Sequence, residues 1–518
     1  MSILGSRFVS AVAAALALAG AAALPAQAQG LGPSAMRERI DGLIPELEAY
    51  LQAGMKSFDV PGAAVGIVHD DKLIYAEGFG VRELGKPDRV NPATIFQIGS
   101  TSKAFFSATL AQAVDAGKLE WNDRVSDLLP EFQLSDPWVG RDTRMLDLAA
   151  QRSGLTPHVN DGLTGLGYDA MTLVRSLRDA PLTRVFRSDF TYVNITHIAG
   201  GIILARKLGM ESWSDVVRSG IFEPLGMTSS SSSAEAIEKA PDHAVGHRQD
   251  EAATTAIPFH ESFPYIHGPA GGINSNVPDV SRWLRMQLGR GHFEDKVIVS
   301  EENLDVTWTP RVAINERLSY AIGWVVTATP NGRIVWHNGG TMGFGAHVGF
   351  LPDRGVGIVV LTNAENRGFP DAVAQWVYDR LLGNDAVDNV ALALEETREK
   401  EADEREKAAP PVRASAPQDL TAFAGTYMSP LLGDVTASVE GGQLRLRLED
   451  TEATLTLAPR DEDLFDARLD ASGVYAPVVA MMGDEVVTQV RFERDGDGAV
   501  TRMDWVSPTL PQTFRRRQ

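Results

Sequence analysis

The 518-residue chain contains no cysteine. That excludes a disulfide framework, a Cys-based zinc site and a cysteine for lipid attachment. Positive charge is scarce, with 48 Lys and Arg against 68 Asp and Glu and a net charge of −20. A phosphate backbone needs clustered Lys and Arg, so nucleic acid is excluded as a partner. Beyond the N-terminal segment no apolar run is long enough to span a bilayer. Internal repeats are lacking too. What remains, 44% hydrophobic and 22% charged residues, is the composition of a soluble globular protein.

The first 28 residues read as an export signal. Arg7 precedes an apolar run from Phe8 to about Ala28 that ends in Ala26-Gln27-Ala28. Positive, hydrophobic and small-x-small segments in that order are what a signal peptidase cleaves. The expected product is periplasmic or secreted, with no stable membrane insertion after cleavage. The alternative is an uncleaved anchor, since the run is nearly long enough to cross a bilayer.

A chain of this length exceeds what one hydrophobic core usually serves, so two domains are expected. Met36 to Lys56 has helical spacing, with Ile40, Ile44, Leu47 and Leu51 on one face. Strand-like runs follow at Ala63–Val68 and Leu73–Gly80, and again at His347–Leu351 and Val356–Thr362 before a helix around Ala372–Leu382. Strands near both ends with helices between them predict an α/β body over 29–390 whose terminal strands share a sheet. Glu395–Lys407 is a dense charge run, read as a solvated helix, and Ala408–Pro417 is Ala/Pro-rich, so 391–417 is read as a linker. From 418 to 518 the pattern alternates, as in Leu444, Leu446, Leu448 and Ala453, Leu455, Leu457, which predicts a small all-β, barrel-like domain. Asp495-Gly496-Asp497-Gly498 resembles a calcium loop, but its twelfth position is Val506, so it reads as a hairpin turn. The serine run Ser229–Ser233 reads as a plain flexible loop.

Ser100-Thr101-Ser102-Lys103 is an S-x-x-K element at the start of a helix-forming stretch, Ala104–Ala116. Helical spacing puts Lys103 beside Ser100. A serine hydroxyl needs a nearby base, and a desolvated lysine is neutral enough to serve. Taken alone, the element is no more than a helix cap. Two further elements change that: Tyr192-Val193-Asn194, the only Y-x-N in the chain, and His337-Asn338-Gly339-Gly340 after the strand-like Arg333–Trp336. A tyrosine near an ammonium can pass a proton, an asparagine can orient the lysine or a carbonyl, and an N–H after a glycine turn can help hold an oxyanion. A second H-x-G, His347-Val348-Gly349, lies inside an alternating run and is set aside. His197, Trp324 and Trp336 read as packing residues, and Phe344 and Tyr265 are kept as candidates for the cleft wall.

Ile98-Gly99-Ser100-Thr101-Ser102-Lys103, Tyr192-Val193-Asn194 and His337-Asn338-Gly339 together resemble the three ordered motifs of the serine β-lactamase and penicillin-binding-protein superfamily. Y-x-N is the form of its class C β-lactamase, D-aminopeptidase and esterase branch. Gln151-Arg152-Ser153-Gly154-Leu155, Glu223-Pro224-Leu225-Gly226-Met227 and Gly268-Pro269-Ala270-Gly271-Gly272 resemble the same branch. The resemblance covers about 36–385 and implies an antiparallel sheet flanked by helices. The β domain resembles a C-terminal domain often appended there.

The resemblance also implies roles. Ser100 is the nucleophile, with its own N–H and that of Gly340 holding the oxyanion. Lys103 and Tyr192 share the base and acid work, and which takes the attacking proton stays open. Asn194 orients, and His337 contacts the substrate or tunes Tyr192. No metal or organic cofactor is implied. His337 stands where β-lactamases and D-Ala-D-Ala carboxypeptidases carry the K-T-G lysine that helps bind a substrate carboxylate, which points away from penicillins. Glu301 does not match a class A deacylation glutamate and reads as part of a surface helix. The expected activity is hydrolysis of a small-molecule or short-peptide amide or ester through an acyl-enzyme. A class C-like β-lactamase, a penicillin-binding sensor that acylates without turnover and an inactive scaffold stay open, as do the substrate and the oligomeric state.

Overall fold

A computed structural model describes residues 32–250, 253–408, 419–483 and 485–517. The predicted signal over 1–28 and the Pro-rich end of the predicted linker, 409–417, lie outside them. No described helix is long and apolar enough to cross a membrane.

Among the described residues the first body is built on an eight-stranded antiparallel sheet. Its strands are β1 (Gly62–His69), β2 (Lys72–Gly80), β3 (Val312–Ala313), β4 (Leu318–Tyr320), β5 (Val325–Thr329), β6 (Gly332–Thr341), β7 (Phe344–Leu351) and β8 (Val356–Thr362). Their order is β2-β1-β8-β7-β6-β5-β4-β3, so the strands at the two ends of this stretch of sequence meet at β1 and β8. Strands β1, β7 and β8 are buried along their whole length because helices cover both faces.

Helix α1 (Pro33–Ser57) lays Met36, Ile40, Leu47 and Leu51 on one side of the sheet, and Tyr50 stacks on Trp376 of α5 (Phe369–Leu382) with ring centroids 5.0 Å apart. The other side takes α2 (Ser102–Asp115), α3 (Asn194–Leu208) and α4 (Val277–Leu288). Gly66 of β1 marks the closeness of α4: a Cβ there would lie 2.4 Å from Val277 Cγ1. Helix α2 is buried on nearly every face, and Phe105 stacks on Trp283 at 4.0 Å. Burying such side chains stabilises by roughly 1.5–3 kcal/mol each, which fixes α2, and the lysine it carries, in the middle of the body.

The charged stretch begins in helix α6 (Asn389–Ala408), whose Val390, Ala393 and Leu394 pack into the α1–α5 core. Beyond it, β9 (Gly425–Ser429), β10 (Gly433–Glu440), β11 (Gln443–Leu448), β12 (Thr454–Pro459), β13 (Leu464–Leu469), β14 (Thr488–Arg494), β15 (Val500–Trp505) and β16 (Gln512–Arg516) close into a barrel. Leu444, Leu446, Leu448, Leu455 and Leu457 fill its interior, as their alternation requires. The Asp495–Gly498 segment is the β14–β15 hairpin turn. A short helix, α7 (Ala476–Met482), is inserted between β13 and β14.

The barrel presses on the first body. Asn160 N–H donates to Thr509 O (2.6 Å), Gln512 Nε2 to Asn160 Oδ1 (3.1 Å) and Tyr168 Oη to Leu432 O (2.9 Å). Leu163, Leu166 and Tyr168 share one apolar core with Tyr475, Val478 and Leu510.

The serine run differs from its reading as a flexible loop. Ser229 N–H and Ser230 Oγ donate to Asp279 Oδ2, Ser231 exchanges backbone bonds with Asn274, Ser232 Oγ bonds Ser214 Oγ, and Ser233 caps the helix Ala234–Lys239. Hydroxyls that would be mobile in water are here held by fixed partners, the buried Asp279 among them. Phe344 is buried in the core, and Tyr265 bonds Gln97 and Asn274, so neither forms the wall of the serine cavity.

Candidate active site

Ser100 sits in a single tight turn, Gly99–Thr101, that runs straight into α2. Gly99 has φ +52°, and a Cβ there would be 2.6 Å from Gly340 N, so glycine is required for the turn to lie against β6. The turn leaves Ser100 half-buried and Lys103 fully buried one turn further on. Their Oγ–Nζ distance is 3.2 Å.

Two other acceptors surround the lysine: Asn194 Oδ1 at 2.8 Å and the carbonyl of Ala270 at 2.7 Å. A neutral amine has two N–H bonds and one lone pair. With both N–H bonds directed at Asn194 and Ala270, the lone pair is left for Ser100. Burial lowers the Lys103 pKa to about 7, against the opposing pull of the Asp161 carboxylate. Nζ also lies 4.5 Å from the centroid of the Tyr192 ring. Burial raises the Tyr192 hydroxyl above its ordinary range, and Asp161 raises it further, while its hydrogen bond with Ser100 opposes both. Around neutral pH the site therefore holds a phenol and an amine of which about half is uncharged, both bonded to one serine.

Asn194 starts α3 and is fixed from both sides, because its Nδ2 donates to Asp161 Oδ2 at 2.7 Å. Burial pushes Asp161 up, but His158, whose Nδ1 is 3.1 Å from Oδ2, the His267 ring and Asn194 together hold the carboxyl below its ordinary value. Asp161, His158 and the Ala270 carbonyl were not among the residues expected from sequence. Asp161 and His158 belong to no periodic motif, and a carbonyl's role is invisible in a residue name. The signals were their places, closely following Gln151–Leu155 and inside Gly268–Gly272.

The third motif is a strand where a turn was expected. His337-Asn338-Gly339-Gly340 lies within β6, paired residue by residue with β7. Gly339 serves packing: a Cβ would be 2.0 Å from Ile98 O and 3.2 Å from Ser100 N. Gly340 lines the cavity beside Ser100, and His337 and Gly339 do not. His337 is 1% exposed, with Nδ1 2.6 Å from Asn338 O and Nε2 3.1 Å from Tyr320 Oη. Burial, aided by the Lys103 charge, lowers its pKa to about 3, so the ring is neutral, donating from Nδ1 and accepting at Nε2. Both nitrogens being occupied, the ring has none left for a substrate. It stands 6.3 Å from the Tyr192 ring, centroid to centroid.

His197 is buried on α3 with Nδ1 3.2 Å from Gln151 Nε2, Trp324 is in the core, Trp336 stacks on His347, and exposed Glu301 pairs with Arg290. The cavity over Ser100 has a volume of about 260 Å³, and no lysine or arginine is among its described lining residues. Among the described residues no group of three or more His, Cys, Asp or Glu is placed to hold a metal.

An antiparallel sheet flanked by helices, with a serine and a buried lysine one turn apart and a tyrosine beside them, is the architecture of the penicillin-recognising serine enzymes. A family model for beta-lactamase matches residues 47–382, and the chain belongs to that family, whose members are serine hydrolases. A domain of unknown function (DUF3471) matches 409–516. Among curated relatives, "Unguisins hydrolase ungD'" of Aspergillus campestris is 28% identical over 62% of this chain and 62% of its own length. "Protein flp" of Staphylococcus aureus is 23% identical over 63% and 64%. The match thus spans under two thirds of either relative. An octameric penicillin-binding protein homologue from Pyrococcus abyssi shares the fold across 91% of this chain and all of its own, with a TM-score of 0.60 and 22% identity. A class C beta lactamase from Rhodobacter sphaeroides does so over 65% and 98%, with a TM-score of 0.54 and 23% identity.

Proposed function

We propose that the chain is an exported serine hydrolase that cleaves an amide, peptide or ester bond through an acyl-enzyme on Ser100. The observation that carries this reading is the buried Lys103 amine, whose two N–H bonds are engaged by Asn194 and Ala270 and whose remaining position faces Ser100 Oγ. Lys103 takes the Ser100 proton as Oγ attacks the carbonyl carbon. The N–H groups of Ser100 and Gly340 hold the oxyanion. Tyr192 gives its proton to the leaving group and recovers one from the Lys103 ammonium. The same pair then activates the water that releases the acyl group. That the fungal relatives are named hydrolases supports this over a sensor that stops at acylation.

A free carboxylate on the substrate meets no lysine or arginine among the described residues lining the cavity, which supports neutral amides and esters over penicillins. The expected result with wild-type protein is a fluorophosphonate adduct located on Ser100 by mass spectrometry. Turnover of a p-nitrophenyl ester or an aminoacyl amide should exceed that of nitrocefin. An adduct on another serine would overturn the assignment.

Export is proposed from Ala26-Gln27-Ala28. N-terminal sequencing of the secreted or periplasmic protein is expected to begin at Gln29, and full-length protein held in the membrane would mean an anchor instead.

A further inference from the structure

The cavity over Ser100 is not made by the first body alone. Val478, Met481 and Met482 of the barrel's helix α7 form one side of it, and Met342, from the turn between β6 and β7, lies beside them. The helix is tied down where it meets the first body. Tyr475 Oη lies 3.2 Å from Leu166 O and 2.6 Å from Thr451 O, and Arg248 Nη1 donates to Ala480 O at 2.5 Å. Close contact with the loop that carries Asp161 completes the seat. A Cβ on Gly165 would be 3.6 Å from Met482 Sδ and 3.7 Å from Val478 Cγ1. Three apolar side chains thus stand across from the nucleophile, on an element from another domain.

Met342, Met481 and Met482 also line a second cavity of about 730 Å³, which lies beyond them and is otherwise largely polar. The methionines are a partition, with the serine and a small apolar space on one side and a larger polar space on the other. Thioether side chains are long, unbranched and adaptable, so they close such a gap without a rigid fit.

We propose that α7 is the specificity wall of the catalytic site: the substrate is an apolar, non-anionic acyl compound whose chain seats against Val478, Met481 and Met482, which limit its length. This rests on Ser100 being the nucleophile. An apolar chain gains by burial against these side chains, whereas one longer than the small cavity meets the methionine partition and is rejected. Shortening the partition joins the two cavities and admits the longer chain.

The test uses the full chain and measures second-order rates of Ser100 phosphonylation by ethyl, butyl and decyl fluorophosphonates, in which the serine oxygen displaces fluoride from phosphorus, with each adduct located by mass spectrometry. Wild type is expected to favour butyl over decyl. Met482→Ala is expected to raise the decyl-to-butyl ratio by about tenfold, the low end of what one methylene is worth in an apolar pocket. Met481→Ala with Met482→Ala should raise it further. Met482→Leu, close in volume, is expected to keep the wild-type ratio. A ratio in the double variant within twofold of wild type, with the adduct still on Ser100, overturns the wall but leaves the nucleophile standing. No adduct on Ser100 in the wild type overturns both.

Discussion

Ser100→Ala is expected to abolish covalent labelling and to lower kcat/KM on the best ester or amide by on the order of 10⁶-fold. Ser100 offers an oxygen to which both a base and a proton donor are bonded. Without it, Lys103 and Tyr192 have nothing to activate, and only binding and oxyanion stabilisation remain. The loss should therefore be non-additive, with Ser100→Ala plus Lys103→Met no worse than Ser100→Ala alone. Steady-state kinetics on the single and double variants check this. Residual activity that falls further in the double variant would mean that Lys103 acts without Ser100.

Lys103→Met keeps the length of the side chain and removes the amine, and is expected to lower kcat/KM by about 10²–10⁴-fold. It leaves Asn194 Oδ1 and the Ala270 carbonyl without their donor, so thermal unfolding of the variant is the necessary control. Titration separates a proton-handling lysine from a merely structural one. The Lys103 pKa is lowered to about 7, and only the uncharged amine accepts the serine proton. Hence kcat/KM should rise tenfold per pH unit below about pH 7 and level off above it. Because Asp161 raises the Lys103 pKa, Asp161→Asn should move that limb to lower pH. A flat profile between pH 5.5 and 8, or a limb that moves the other way, would remove Lys103 from the proton path.

Much of this arrangement is readable in the sequence, for local reasons. Ser100 and Lys103 are three residues apart at the start of a helix, so their proximity follows from helical geometry, and the leucine alternation from 444 to 457 admits little but half-buried strands. Tyr192 and Asn194 join them only through the ordered motifs. What escaped depends on contacts between distant parts of the chain. Asp161 fixes Asn194 from a loop with no repeating pattern, and nothing near Met482 marks it as facing a serine 382 positions earlier. His337 illustrates the opposite error: the motif reads as a turn facing the substrate, whereas β6 continues through it and Tyr320 and Asn338 take both ring nitrogens. The serine run escaped for the same reason, since Asp279 and Asn274 are its partners only in three dimensions.

The contacts of Asn160 with Thr509 and Gln512 also bear on the order in which the site is completed. A chain emerges from the ribosome amino end first, and its domains tend to fold in that order. The sheet and the Ser100–Lys103 turn are complete once β8 and α5 are out. The loop that braces Asn194 through Asp161 also carries Asn160, whose partners at 509 and 512 emerge only well after α5. Until then Ser100 and Lys103 stand without the wall that Val478, Met481 and Met482 supply, so a chain that has emerged only as far as α5 carries both residues but not their enclosure.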